Sequence, residues 1–385
     1  MYDFVVVGAG LFGAVFAHEV KKAGKKVLVI EKRDHIGGNC YSYDDPETDI
    51  NIHKYGPHIF HTPDKRIWNY INTFADFNNY QHRVLTTAGG KVYSLPINLA
   101  TINQFYNLNL TPAEAAEFLK SKTSNIASPQ NLEDKAVSLI GRELYEAFIK
   151  GYTIKQWNCD PVELPAEVIT RLPVRTSYND IYYHDNYQGM PVGGYEPIFE
   201  KLLENVPLEL ETDFFEKRDY WKSVAGTLVY TGPIDRYFDY RWGNLRWRSC
   251  RFEMERMSLN DYQGVSVMNY ADRDVPYTRI LEPKHFYRER AHLSRGTVII
   301  REYPCDDPAQ PYYPVRLKTD QEILAKYQEA QSREKDVVFG GRLAEYKYYD
   351  MWQVISRALE QAGKILQGRS SSGRTKSRQL LPAED

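Results

Sequence analysis

Three groups of residues in this chain of 385 residues have the types and spacing to do chemistry. Gly8, Gly10 and Gly13 form a G-x-G-x-x-G turn, and Glu31 follows about 20 residues further on, the spacing of a dinucleotide site. His58 and His61, in the run HKYGPHIFHT, can carry a proton. Arg171 and Arg175 lie in the proline-punctuated stretch 158–175, and Arg279 follows Pro276-Tyr277-Thr278. A planar guanidinium on such a segment either stays solvated or closes on a diphosphate through charge-assisted bidentate bonds.

The elements that must position these groups follow from the pattern around them. Phe4 to Val7 is a short apolar run, as in a parallel strand buried on both faces. Leu11, Val15, Ala17 and Val20 recur at helical spacing up to Gly24, and Val27 to Ile30 is a second buried strand ending on Glu31. Gly8 allows the tight turn, Gly10 lets backbone approach a diphosphate at the helix N-terminus, and Gly13 lets the helix lie close on the sheet. Glu31 can accept from ribose hydroxyls and repels a 2′-phosphate, so a non-phosphorylated dinucleotide is expected. Gly37, Gly38 and Asn39 form a loop suited to the same ligand. At the other end, Val337 to Phe339 runs into Gly340-Gly341, a polar loop and a helix from Trp352, so both ends of the chain are expected to hold one cofactor.

Between them, His58 and His61 are placed on a loop that enters a helix capped at Thr62, with Pro63 in its first turn. Residues 80–95 read as a hairpin around Gly89-Gly90. The stretch from Thr101 to Trp157 is helical, with capping signals at Thr111 and Asn131. Tyr182, Tyr183 and Tyr187 are placed on a strand. Alternation at 264–270 and 297–300 predicts an antiparallel sheet. Net charge is −2 with no sustained basic block, which argues against nucleic acid and membrane-surface partners. Cys40, Cys159, Cys250 and Cys305 have neither disulfide nor metal-ligand spacing, and no carboxylate or third histidine flanks His58 and His61. A cytoplasmic protein without metal or membrane insertion is therefore expected, with a disordered Ser/Arg/Lys-rich tail over 368–385. The thirty tyrosines offer stacking surfaces for a base or sugar.

The motifs GAGLFGAV, VLVIEKRDHIGGN, HKYGPHIFHT, IKGYTIKQW, ELPAEVITRLPVR, MPVGGY, YTGPIDRYFDYR, VPYTR and VFGGRLAEYKYYDM run to about residue 366 and resemble those of bacterial UDP-galactopyranose mutases. The resemblance implies an α/β fold in three parts. A discontinuous Rossmann-like FAD-binding domain would take 1–75, 190–240 and 320–367; a helical domain with a mobile loop, 97–172; and an antiparallel β-sheet substrate domain, 76–96, 173–189 and 241–319. It implies a homodimer that interconverts UDP-galactopyranose and UDP-galactofuranose for surface polysaccharide without net redox change. In that chemistry N5 of reduced FAD attacks the anomeric carbon, UDP leaves, and the sugar ring opens and recloses through a flavin iminium.

Carried over residue by residue, Arg171 and Arg279 match the two diphosphate arginines. Phe148 and Tyr182 match the uridine-stacking positions, and Trp157 a residue of the mobile loop. Tyr313, Tyr348 and Asp350 match sugar and phosphate contacts, with Thr153 and Asn269 further substrate positions. His58 falls against the flavin, with His61 in support. Phe12, Asn39, Arg342, Asp350 and Met351 join Gly8, Gly10, Gly13, Glu31, Gly38, His58 and Gly340 as cofactor residues. Ile149 departs from members that carry a second aromatic beside the Phe148 position. An amine-oxidase-type oxidoreductase would share the N-terminal motif and the C-terminal glycine pair but has no place for the paired arginines. A non-catalytic nucleotide-sugar or FAD-binding protein is the remaining alternative, and nothing in the sequence disables the site.

Overall fold

The apolar runs read from the sequence become the centre of a five-stranded parallel sheet, ordered Val337–Phe339, Ala225–Tyr230, Tyr2–Val7, Val27–Ile30 and Leu208–Glu209. The computed structural model describes residues 1–123, 126–169 and 173–375. Phe4, Val5 and Val6 have no exposed surface because both faces of the sheet are covered. Helix Leu11–Lys22 and the final helix Met351–Thr375 pack on one face, through Phe12, Val15 and Phe16 against Val354, Ile355 and Ala358. Trp221, Tyr237 and Tyr327 join the core on the other. The first and last helices are thus neighbours on that face.

A second sheet has seven strands, in the order Tyr313–Pro314, Trp247–Met257, Thr297–Cys305, Arg279–Leu281, Val267–Tyr270, Val84–Ala88 and Lys91–Leu95. The sequence predicts it to be antiparallel, and all but one junction is. Val267–Tyr270 runs parallel to Val84–Ala88, so the sheet is mixed. The cause is connectivity: the 84–95 hairpin is separated from its neighbour strand by the whole helical layer, so no turn dictates their direction. The hairpin itself forms as expected, with Gly89 and Gly90 at φ of 55° and 74°, the geometry of a two-residue turn.

The helical layer comprises Leu99–Tyr106, Pro112–Lys122, Leu132–Leu144, a π-helical stretch Tyr145–Lys150, and Gly151–Trp157. Thr111 and Glu114 form the capping box the sequence signals, and Asn131 caps at Asp134. Other boundaries move. The helix after the histidines is capped by Asp64, whose side chain accepts from Arg66 N–H at 2.8 Å, because Thr62 is drawn into strand Phe60–Thr62. His61 is therefore on a strand and not on a loop. Of the three tyrosines placed on a strand, only Tyr187 is in one. The final helix continues to Thr375, past the predicted start of a disordered tail at 368; the polar stretch contains no proline, and each added residue gains a backbone hydrogen bond. Residues 376–385 lie outside the described residues.

Candidate active site

Glycine brings three backbone segments close together at the C-terminal edge of the parallel sheet. Gly8 has φ of 106°, and a Cβ there would sit 2.2 Å from Thr231 Oγ1. A Cβ on Gly13 would lie 2.0 Å from the Gly8 carbonyl, and one on Gly38 2.9 Å from Gly10 Cα. Gly10 is the N-cap of a twelve-residue helix without a side-chain cap, so the helix dipole and its leading amides face the glycine loop. Buried Glu31 accepts from Ala9 N–H at 2.8 Å and from Arg33 N–H at 3.0 Å. Arg33 in turn donates to Asn39 at 2.9 Å and lies over the Tyr55 ring. From the far end of the chain, Gly340 sits so close on buried Phe12 that a Cβ would be 2.0 Å from the ring. Met351 meets Cys40 with sulfurs 3.7 Å apart. This cradle, closed to any side chain at its glycines and headed by a helix N-terminus, fits a dinucleotide diphosphate with its ribose toward Glu31.

Next to it, the mixed sheet sets a row of side chains on one face. Thr86 is opposite Asn269, Asn269 opposite Arg279, and Arg279 opposite Glu302. Directly opposed residues bring their Cβ atoms within about 5.5 Å. Arg279 donates through Nε to Glu302 Oε2 at 2.8 Å, and its Nη2 lies 2.8 Å from the same oxygen. Burial works against its charge, but Glu302, with Tyr152 and Tyr313 adding to it, raises the Arg279 pKa. The Arg279 side chain is one-fifth exposed, whereas Glu302 is buried. A cationic fork is therefore held next to Asn269 in the row, paired with a buried counter-ion.

The row leads to a cavity of about 100 Å³ in which Phe148, Ile149, Thr153, Tyr182 and Asn269 come together, with Tyr152 beside them. Phe148 and Ile149 reach it from the π-helical stretch, a geometry frequent at functional sites. Tyr313 stacks on Tyr348 at 5.4 Å, and Arg342 lies 5.2 Å from the Tyr348 ring centroid. Arg342 also donates to the carbonyls of Tyr349 at 2.6 Å and Tyr312 at 3.4 Å, tying the tyrosine-rich loop to the strand beside it. Asp350 starts the final helix, where its N–H donates to Gln353 at 2.9 Å. Trp157 ends helix Gly151–Trp157 and packs at the edge of the core. Arg171 lies outside the described residues. Arg175, the other arginine of that stretch, is buried and donates to the carbonyls of Asn179 and Ile181, so it shapes the turn before Tyr182.

A family model described as UDP-galactopyranose mutase matches residues 147–348, and one described as an NAD(P)-binding Rossmann-like domain matches residues 6–74. A probable UDP-galactopyranose mutase of Klebsiella pneumoniae is 44% identical over 371 residues, covering 94% of both chains. The chain belongs to the UDP-galactopyranose mutase family. It is accordingly an enzyme of the isomerase class. A dTDP-fucopyranose mutase of Escherichia coli is 41% identical over 368 residues, covering 94% of this chain and 97% of that one. The crystal structure of a reduced UDP-galactopyranose mutase superposes with a TM-score of 0.75 at 14% identity over 95% of this chain and 96% of the other, a likeness of fold. Among the described residues no helix is long and apolar enough to cross a membrane.

Within this member of the UDP-galactopyranose mutase family the histidines divide by environment. His58 N–H donates to His53 Nδ1 at 3.1 Å, and His58 Nδ1 faces the Gly56 carbonyl at 2.9 Å. A carbonyl only accepts, so Nδ1 carries the proton and Nε2 is left as an acceptor. Burial, with Arg342 and Arg279 adding to it against the Gly56 carbonyl, pushes His58 down to about 4. It is neutral at neutral pH. His61 instead stacks on Tyr183 at 3.7 Å and meets Asp185 at 2.5 Å, anchoring the segment that carries Tyr182.

Burial also pushes His53 and His82 down to about 3. Unfolded, each takes a proton near pH 6.5, whereas folded it stays neutral, so stability is lost as pH falls below about 6.5. Roughly 1 kcal/mol per histidine is expected by about pH 5.5. Chemical-denaturation midpoints at neutral and mildly acidic pH test this, and His82→Phe should flatten the dependence.

Glu302 escaped the sequence reading, although a signal for it exists. It shares the strand face of buried Val298 and Ile300, and an acid at an apolar position calls for a buried cation. Tyr152 was missed for the opposite reason, as one more tyrosine among thirty.

Proposed function

We propose that this chain is a UDP-galactopyranose mutase, interconverting UDP-galactopyranose and UDP-galactofuranose for surface polysaccharide synthesis in the cytoplasm. When bound in reduced form, FAD would supply the nucleophile that holds the anomeric carbon while UDP is released and recaptured. Gly8, Gly10, Gly13 and Gly38 would cradle its diphosphate and Glu31 its ribose, with Phe12, Asn39, Gly340, Arg342 and Met351 holding the two ends of the chain around it. His58, neutral and with a free acceptor, would take a hydrogen bond or a proton at the ring system.

The remaining residues would act on the nucleotide sugar. Phe148 and Tyr182 would hold the uracil, Thr153 and Asn269 the ribose side, and Trp157 the mobile edge. Arg279, with Arg171, would carry the charge of departing UDP, which preorganised cations do best in a water-poor site. Tyr313, Tyr348 and Asp350 would orient the sugar. The reading also takes the three-part division at 1–75, 190–240 and 320–367, at 97–172, and at 76–96, 173–189 and 241–319, and a homodimer.

The observation that carries this reading is the sheet row that runs from the cavity lined by Phe148, Tyr182 and Asn269 to ion-paired Arg279. The test is chromatography of UDP-galactofuranose incubated with the protein in air and with dithionite. UDP-galactopyranose is expected only, or far faster, with dithionite. No conversion with flavin bound would favour an oxidoreductase. The similarity to a dTDP-fucopyranose mutase supports a second reading, a deoxysugar nucleotide substrate, so dTDP-fucopyranose belongs in the same assay.

A further inference from the structure

Helix Gly151–Trp157 carries Thr153 and Trp157, while the loop between strands Val267–Tyr270 and Arg279–Leu281 joins Asn269 to Arg279. These two segments are not sequence neighbours, yet they are held together at one point. The Lys155 ammonium lies 2.7 Å from the Tyr270 carbonyl, 2.8 Å from that of Asp272, and 3.0 Å from those of Val275 and Tyr277. Four backbone acceptors from one loop converge on one cation that has three protons to give.

Gly151 is one helical turn earlier on the same face. A Cβ there would lie 2.3 Å from the Ala271 carbonyl, so helix and loop touch backbone to backbone. Arg248 secures the helix's other end by donating to the Gln156 carbonyl at 2.8 Å. Burial lowers Lys155 to about 8, and Asp272 and Asp274 work against that, so the ammonium keeps its charge at neutral pH.

We propose that Lys155 is the positioning residue of the diphosphate site: its ammonium fills a cage of four carbonyls in loop 270–277 and thereby sets Asn269 and Arg279 against helix 151–157. A ring of carbonyls without its cation would repel itself, and the loop would open. Removing the side chain should leave a site for a small monovalent cation of the ammonium class. This inference rests on the assignment of Arg279 to the diphosphate.

The test uses Lys155→Ala in the FAD-loaded enzyme. A misplacement of about 1 Å costs on the order of a hundredfold, so kcat/KM should fall by about that factor and UDP affinity should weaken. Ammonium or methylammonium chloride should restore part of both, and tetramethylammonium, too large for the cage, should restore neither. Amide hydrogen exchange should rise over 270–278 and fall again with ammonium. Wild-type kcat/KM and UDP affinity in the variant would overturn the proposal, as would a loss with unchanged exchange at 270–278. If the alanine variant does not fold, Lys155→Met keeps the stem and removes the charge, and the same readouts decide. Should the wild-type chain fail to interconvert the sugars, the proposed function falls. UDP affinity and exchange then judge Lys155, and unchanged values overturn it.

Discussion

Arg279→Ala is expected to lower kcat/KM by about a hundred- to a thousandfold while the flavin stays bound. The guanidinium sits in the sheet row that leads from the cavity of Phe148, Tyr182 and Asn269, and no other described arginine occupies that row. The variant has a second consequence, because it leaves the Glu302 carboxylate buried without its cation. Breaking a buried pair by removing one partner costs about 3–5 kcal/mol, and the low end applies here because Arg279 is one-fifth exposed. Arg279→Ala combined with Glu302→Leu should therefore recover stability without recovering turnover. Urea midpoints and steady-state kinetics of both variants separate the two effects. Turnover within tenfold of wild type in the single variant would remove the diphosphate role.

Gly13→Ala should yield a protein that loses its flavin and about 3 kcal/mol of stability, the upper end for overpacking. The added Cβ would sit 2.0 Å from the Gly8 carbonyl and 3.1 Å from Val6 Cγ1. The nearest of these atoms is backbone of the turn that faces the diphosphate, so relief requires lifting helix Leu11–Lys22 off the sheet. Gly24→Ala is the control. Gly24 has φ of 77° with nothing within 4 Å of an added Cβ, so only local strain of about 1–2 kcal/mol is expected, with flavin retained. Flavin absorbance after gel filtration and thermal unfolding measure both. A Gly13→Ala protein with a full flavin spectrum would refute the close-packing argument.

Features set by neighbouring residues were legible in the chain. The strand, glycine turn, helix, strand and Glu31 are where their pattern places them, as are the Thr111–Glu114 capping box and the Gly89–Gly90 hairpin. In each, a dihedral preference or a side chain within a few residues decides the outcome. The family resemblance extended that reading to Phe148, Thr153, Tyr182 and Asn269, which meet at one cavity.

Long-range pairing decided the rest. Val267–Tyr270 joins Val84–Ala88 in parallel because its partner strand lies across the helical layer, and that register is what lines Thr86, Asn269, Arg279 and Glu302 in one row. His61 became a strand residue because Phe60–Thr62 found Tyr187–Gly189, more than a hundred residues away. Lys155 reads from the sequence as one cation in an aromatic stretch; its four carbonyl partners come from a loop beyond residue 269. Local spacing specifies elements and their caps, but the pairing of strands and the burial of a charge depend on which distant backbone supplies the missing hydrogen-bond partners.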